Sequence, residues 1–372
     1  MTSETAFNLY IDFNIYLMLA AVVWIATTRI LRRTHLRYSH EIRLQVAYNL
    51  LVAVAVLPIA LLCVDRLGSN QAVITLSALS LSDFAVAQFL EGRIDMAPTM
   101  FEATLNLRDT LVRETVALNT AHGQLIAMIL LGGAATGLFQ VGRDIGRIRR
   151  ILRNGFLLRR LGRIDIILTD EIRVPLSTRG WRRHYVVVPT EYLYRPGDLH
   201  IAVTHEVQHI RQGDVTWEVV MECLRPLLFW NPAFHYWKRE IEERRELACD
   251  RLLLTRRTIT AAEYSDCLFR TCERLLGRTD TTPVATLSVP FAHSSGPTAR
   301  RVLLRRFEML INPITARSTR WRTALFAPVL AVFLVTGLAT QTSSEWSHDR
   351  IMLSTIVNLE RLDSRTMLSP VY

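Results

Sequence analysis

His205-Glu206-Val207-Gln208-His209 sets two histidines four residues apart, with a glutamate beside the first. Residues four apart share one face of an α-helix, so a helix here turns both imidazoles toward one metal ion. Glu206, one residue past the first imidazole, reaches the open coordination position and suits a general base. The surrounding pattern predicts a helix over Leu199 to Arg211, in a chain where histidine is scarce at 10 of 372 residues.

A catalytic zinc takes three protein ligands, so a further donor is required downstream. Glu246-Leu247-Ala248-Cys249-Asp250 supplies it, with Glu246 as the candidate ligand. Asp250 follows one turn later on the same face, where it can accept a hydrogen bond from the free ring nitrogen of a ligating histidine. The competing reading of Glu246 is an ordinary ion pair, since Arg244, Arg245 and Arg251 are its neighbours. Cys249 falls one face away and reads as a small buried apolar residue.

Working outward, Ile164 to Thr169 and Tyr185 to Val188 are short β-branched runs separated by Pro175 and Gly180, and they predict strands joined by a turn-rich loop. An exposed edge at Tyr185, Val186, Val187 and Val188 would align an extended substrate by strand addition. Helices are predicted over Val215 to Leu228, Pro232 to Thr255, Ala261 to Leu276 and Ala299 to Ile311. The Thr, Ser, Pro and Gly-rich stretch from Asp280 to Pro297 reads as an exposed loop.

Half of the residues are hydrophobic, and they cluster. Four runs lack Asp, Glu, Lys and Arg for long enough to cross about 30 Å of hydrocarbon: Phe13 to Thr28, Leu44 to Val64, Thr115 to Gly142 and Thr323 to Ser344. The loop 28–45 carries five arginines against one glutamate, whereas 65–114 is acidic on balance. After the third run come Arg143, Arg147, Arg149, Arg150, Arg153, Arg159, Arg160 and Arg163. This asymmetry predicts a cytoplasmic loop at 28–45, an external loop at 65–114, and external N and C termini. The fold class expected is an α+β membrane protein. Residues 1–142 hold three spans, 143–322 a cytoplasmic metallopeptidase domain of small sheet plus helices, 323–344 the fourth span, and 345–372 an external tail. The net charge of +10 is read as topology, so no direct nucleic-acid binding is expected. No basic n-region or small-residue cleavage site argues for a cleaved signal peptide. The five cysteines form no CxxC pair, which argues against a disulfide framework.

The order HExxH, Asp214, Asn231-Pro232, then Glu246-Leu247-Ala248-Cys249-Asp250, with no span between them, resembles the BlaR/MecR membrane metallopeptidases over most of residues 1–340. The resemblance implies a gluzincin-type zinc site with His205, His209 and Glu246 as ligands, Glu206 as catalytic base and Asp250 supporting a ligand. It also implies relay of an external stimulus by cleavage of a cytoplasmic protein, such as a transcriptional repressor or the chain itself, in the bacterial inner membrane. The partners expected are that substrate, membrane lipid and a second copy of the chain. The penicillin-binding sensor that would follow the last span in that family has no counterpart in 341–372, so beta-lactam sensing is not expected. A prenyl-processing or heat-shock type membrane peptidase, and a receptor or scaffold with a structural zinc, are the competing readings. The first commonly places spans between its two motifs, and the second has no need of Glu206.

Overall fold

The computed structural model describes residues 3–31, 33, 43–52, 54, 81–255, 259–276, 288–290, 297–311 and 346–368. They are mostly helical, with one small mixed sheet. Two compact units divide the chain.

The first unit comprises Met1–Val23, Tyr48–Leu131 and Arg320–Tyr372. It holds the start of α1 (Ser3–Leu31), then α2 (Leu81–Leu90), α3 (Pro98–Ala117), the start of α4 (Ala121–Asn154) and, at the chain's other end, α10 (Trp346–Leu368). Val86 of α2, Phe101 of α3, and Leu353 and Val357 of α10 form a shared apolar core. Phe89 stacks on Phe101 at 4.3 Å between centroids. Glu360 accepts from the Thr99 backbone N–H, and Arg361 pairs with Glu102. Ala85, Phe89 and Leu90 of α2 pack against the same core.

Among the described residues two helices are long and apolar enough to cross a membrane, α1 over Ala6–Arg29 and α4 over Ala121–Asn154. The third charge-free run starts too early as a span. Residues 115–117 belong to α3, which ends where Leu118 turns left-handed at φ 54°. Of the second run only 44–52 and 54 are described, and they are helical; the fourth run, Thr323 to Ser344, lies outside the described residues.

The second unit comprises Trp24–Ala47 and Gly132–Thr319. Its strands are β1 (Phe156–Leu161), β2 (Ile164–Thr169), β3 (Leu176–Arg179), β4 (His184–Pro189) and β5 (Ser288–Pro290), in the order β1-β2-β4-β3-β5. Only β2 and β4 pair in parallel. This corrects the expected substrate edge. Tyr185 to Val188 lie in the sheet's central strand, paired on one side with β2 and on the other with β3, and Val186, Val187 and Val188 are at most 1% exposed. Three consecutive β-branched residues mark a strand buried on both faces rather than a free edge.

The helices of this unit are α5 (Pro196–Gln212), α6 (Asp214–Leu224), α7 (Pro232–Thr255), α8 (Ala261–Leu276) and α9 (Pro297–Ile311). Leu199, Ala202, Val203, Val207 and Ile210 form the stripe by which α5 packs on Ile166, Leu168, Val186 and Val188 of the sheet. The opposite face of α5, beginning with Ile201, meets Cys249 and Leu253 of α7 and Tyr264, Cys267 and Leu268 of α8. The apolar period of α5 thus sets which way its histidines point.

Candidate metal centre

Pro196 sits in the first turn of α5, where its missing N–H costs nothing, and Asp198 is clamped there by Arg270 through two hydrogen bonds. The helix ends at Gly213, whose φ of 80° closes the last turn without a Cβ penalty. α6 begins at the next residue, so the chain doubles back and Asp214 meets the helix it has just left. Its Oδ2 lies 2.8 Å from His209 Nδ1. A carboxylate can only accept, so Nδ1 carries the proton and Nε2 keeps its lone pair.

The same logic fixes His205. Tyr264 donates its phenolic hydrogen to Asp250 Oδ1, and its oxygen stands 3.0 Å from His205 Nδ1. That nitrogen must therefore donate, leaving Nε2 free. Asp250 Oδ1 is 3.5 Å from His205 Nδ1, so the support expected of Asp250 arrives mainly through Tyr264. Arg306 of α9 donates to both oxygens of Asp250, at 2.7 and 2.8 Å, and to the Tyr264 hydroxyl at 2.7 Å.

The two free Nε2 atoms are 2.9 Å apart, and each is 3.6 Å from an oxygen of Glu246. Donors held about 2.0–2.1 Å from a tetrahedral zinc stand about 3.3 Å from one another. All of these side chains are fully buried. Neither Glu246 oxygen has a hydrogen-bond donor among the described residues, although Arg306 Nη1 is 3.1 Å away. Both oxygens of Glu206 are likewise buried without a donor. Four acceptors turned inward on two lone pairs form a donor set that fits a divalent cation.

Cys249 Sγ also lies within 4.8 Å of a nitrogen from each histidine. It approaches His205 from the Nδ1 side at 3.6 Å, away from the point where both Nε2 atoms and Glu246 converge. Burial, with Asp250 and Glu246 adding to it, holds its thiol well above the usual range. The geometry therefore points to Glu246 as the third donor.

Burial pushes the Glu206 carboxyl up to about 7, against the pull of His209. Burial likewise holds His205 down at about 4. For His209, burial is outweighed by Glu246 and Asp214, which raise it. For Glu246, burial is outweighed by His209 and Arg306, which keep it below the usual carboxylate range.

Over residues 10–304 the chain matches a family described as BlaR1 peptidase M56. The chain belongs to that family. No curated protein matches it. Membership in the M56 peptidases carries metallopeptidase activity and membrane association, and the family is generally zinc-dependent. Of the residues read from the sequence, this M56 chain brings His205, Glu206, His209, Glu246 and Asp250 together, and leaves Tyr185 to Val188 in the sheet interior. Tyr264, Arg306 and the contact of Asp214 with His209 are additions. Arg306 had a signal: it stands between Val302 and Leu310 at four-residue spacing, a charge inside an apolar stripe. Tyr264 had none that separates it from the apolar face of α8.

Proposed function

We propose that the chain is a zinc endopeptidase of the gluzincin type, anchored in the bacterial inner membrane by four spans, that cleaves a cytoplasmic protein in response to an external signal. The reading is carried by the convergence of His205 Nε2, His209 Nε2 and the Glu246 carboxylate beside the donor-free carboxylate of Glu206. His205, His209 and Glu246 would hold the zinc, whose Lewis acidity would polarise the scissile carbonyl and lower the pKa of a water. Glu206 takes the proton of that water and returns it to the leaving amine. Asp214 and the Tyr264–Asp250 pair keep each imidazole in one tautomer and orientation, and Arg306 holds Asp250 and Glu246 in register.

The substrate is expected to enter along β3, since β4 is enclosed. In the structure β5 pairs antiparallel with β3, Ser177 opposite Val289, and both strands pack beside α5. Residues 288–290 therefore stand where an extended substrate would add, which supports the chain itself as one substrate, beside the cytoplasmic repressor that the family resemblance implies.

Glu206→Gln should abolish cleavage of a substrate found by comparing the proteomes of wild-type and variant cells, with zinc retained at one per chain. Cleavage that persists in that variant would favour a structural zinc in a receptor or scaffold. His205→Ala/His209→Ala should bind no zinc, and stoichiometric zinc there would refute the ligand set.

A further inference from the structure

We infer that Pro226 to Trp230, within the segment joining α6 to α7, is inserted among the lipid acyl chains of the leaflet on the arginine-rich side of α4. The inference rests on reading α4 as a span. Its charge-free part ends at Gly142, before Arg143. Gly137 and Gly133 lie about 9 and 15 Å back along the axis from Arg143, well inside the apolar length.

The joining segment packs at that depth. A Cβ on Gly133 would overlap the Phe229 ring, and one on Gly137 would stand 2.9 Å from the Cα of Pro226. Arg225 bonds to Gln140, nearer the charged end of the helix. From Pro226 run Leu227, Leu228, Phe229 and Trp230 without a charged side chain. Leu227 is 55% and Trp230 42% exposed, in the same layer as Leu138 and Phe139 of α4 at 62% and 71%.

Acyl chains tolerate such a turn only when its backbone is satisfied from within. The Leu227 and Leu228 N–H groups both donate to Leu224 O at 3.1 Å, and Asn231 N–H donates to Leu228 O at 3.0 Å. His235 Nε2 reaches Phe229 O at 2.7 Å, and Asn231 Oδ1 accepts from Ala233 N–H. The ions at the rim are paired: Arg225 with Glu222, and Lys238 with Glu218, Glu222 and Glu242.

A second contact gives the same level. Trp237 of α7 lies 6.0 Å from Trp24 of α1, five residues before Arg29, and the Arg244 guanidinium stands 5.4 Å from the centre of the Trp24 ring. The start of α7, the helix that carries Glu246, is thus held at the arginine-side end of both apolar helices. Glu246 follows Trp237 by about 14 Å of helix, so the metal centre is held close to the lipid headgroups.

The test places an environment-sensitive fluorophore on Leu227→Cys in the full chain, with Cys63, Cys223 and Cys272 replaced by serine, reconstituted into phosphatidylcholine vesicles. Leu227 is exposed, so the label is accommodated, and bound zinc reports that the domain is folded. Leu138→Cys and Arg153→Cys, both on α4, supply the lipid and water references. The Leu227 probe should be quenched by lipids brominated on their acyl chains several-fold more than by aqueous iodide, as at Leu138 and opposite to Arg153. A Leu227 probe that follows Arg153 while Leu138 reads lipid would overturn the inference alone. A Leu138 probe quenched by iodide would overturn the span reading and the inference with it.

Discussion

Arg306 meets Asp250, Glu246 and Tyr264 in a site where it is 2% exposed. Arg306→Ala would leave two buried carboxylates without their counter-charge, which typically costs about 3–5 kcal/mol. Loss of a residue that orients ligands usually weakens metal binding about 10 to 100-fold. Chelator competition should show that loss, with only partial recovery in Arg306→Lys, since an ammonium lacks the planar fork that spans both Asp250 oxygens. Unchanged zinc affinity in Arg306→Ala would contradict the role. Glu206 offers a pH test in the zinc-stripped protein. Its carboxyl rises from 4.5 to about 7 on burial, so the folded chain keeps a proton that the unfolded chain has released. That stabilisation is complete below about pH 4.5 and lost as pH rises through 7. Glu206→Gln removes it, so melting temperatures at pH 5 and pH 8 should show the variant gaining on wild type at the higher pH. A pH-independent difference would count against a buried, proton-retaining Glu206. The candidate ligands stand out in the sequence because HExxH and a later ExxxD are spacings within single helices. Tyr264 and Arg306 come from two other helices, and their meeting depends on tertiary packing that no local spacing encodes.

Strands were harder to read than helices, for a related reason. The boundaries of α7 and α8 follow from Pro232, Thr260 and their own apolar periods, whereas a short strand exists only through its partners. β2 and β4 were visible as β-branched runs. β1 reads Phe-Leu-Leu-Arg-Arg-Leu within an arginine-rich stretch, β3 reads Leu-Ser-Thr-Arg, and β5 is three residues inside a Ser, Thr and Pro-rich loop. The consequence is functional, because sheet order decides which strand can receive a substrate. With β4 enclosed and β5 on β3, a proline at Val289 should weaken the outermost pairing, since it removes a backbone donor from the ladder. Val289→Pro is expected to raise kcat/KM for an added peptide substrate several-fold by uncovering β3, measured beside Glu206→Gln to exclude a contaminating protease. An unchanged or lower kcat/KM would mean that 288–290 does not compete for that edge.

For the molecule as a whole, contacts inside the first unit bear on how many times the chain crosses the membrane. Arg108 of α3 reaches Asn8 and Asp12 near the start of α1, and α10 packs on α2 and α3. The beginning of α1, the helices 81–117 and the tail helix therefore share one side. α1 and α4 each lead away from that side if they span. To return between residues 31 and 81 the chain needs a crossing, and Leu44 to Val64 is the charge-free run available. To return between 154 and 346 it needs another, and Thr323 to Ser344 is the run long enough. Parity is thus consistent with the four spans expected from the charge-free runs. The arginine excess at 28–45 and after Gly142 predicts the direction, with residues 143–322 expected inside and residues 65–114 and the tail expected outside. Reporter fusions at Ser39 and Gly213 should read cytoplasmic, and fusions at Ser80 and Tyr372 external. A cytoplasmic signal at Tyr372 alone would remove the fourth span and, because α10 packs on α3, would require that pairing to be broken in the membrane. An external signal at Gly213 would overturn the orientation and with it the assignment of a cytoplasmic substrate.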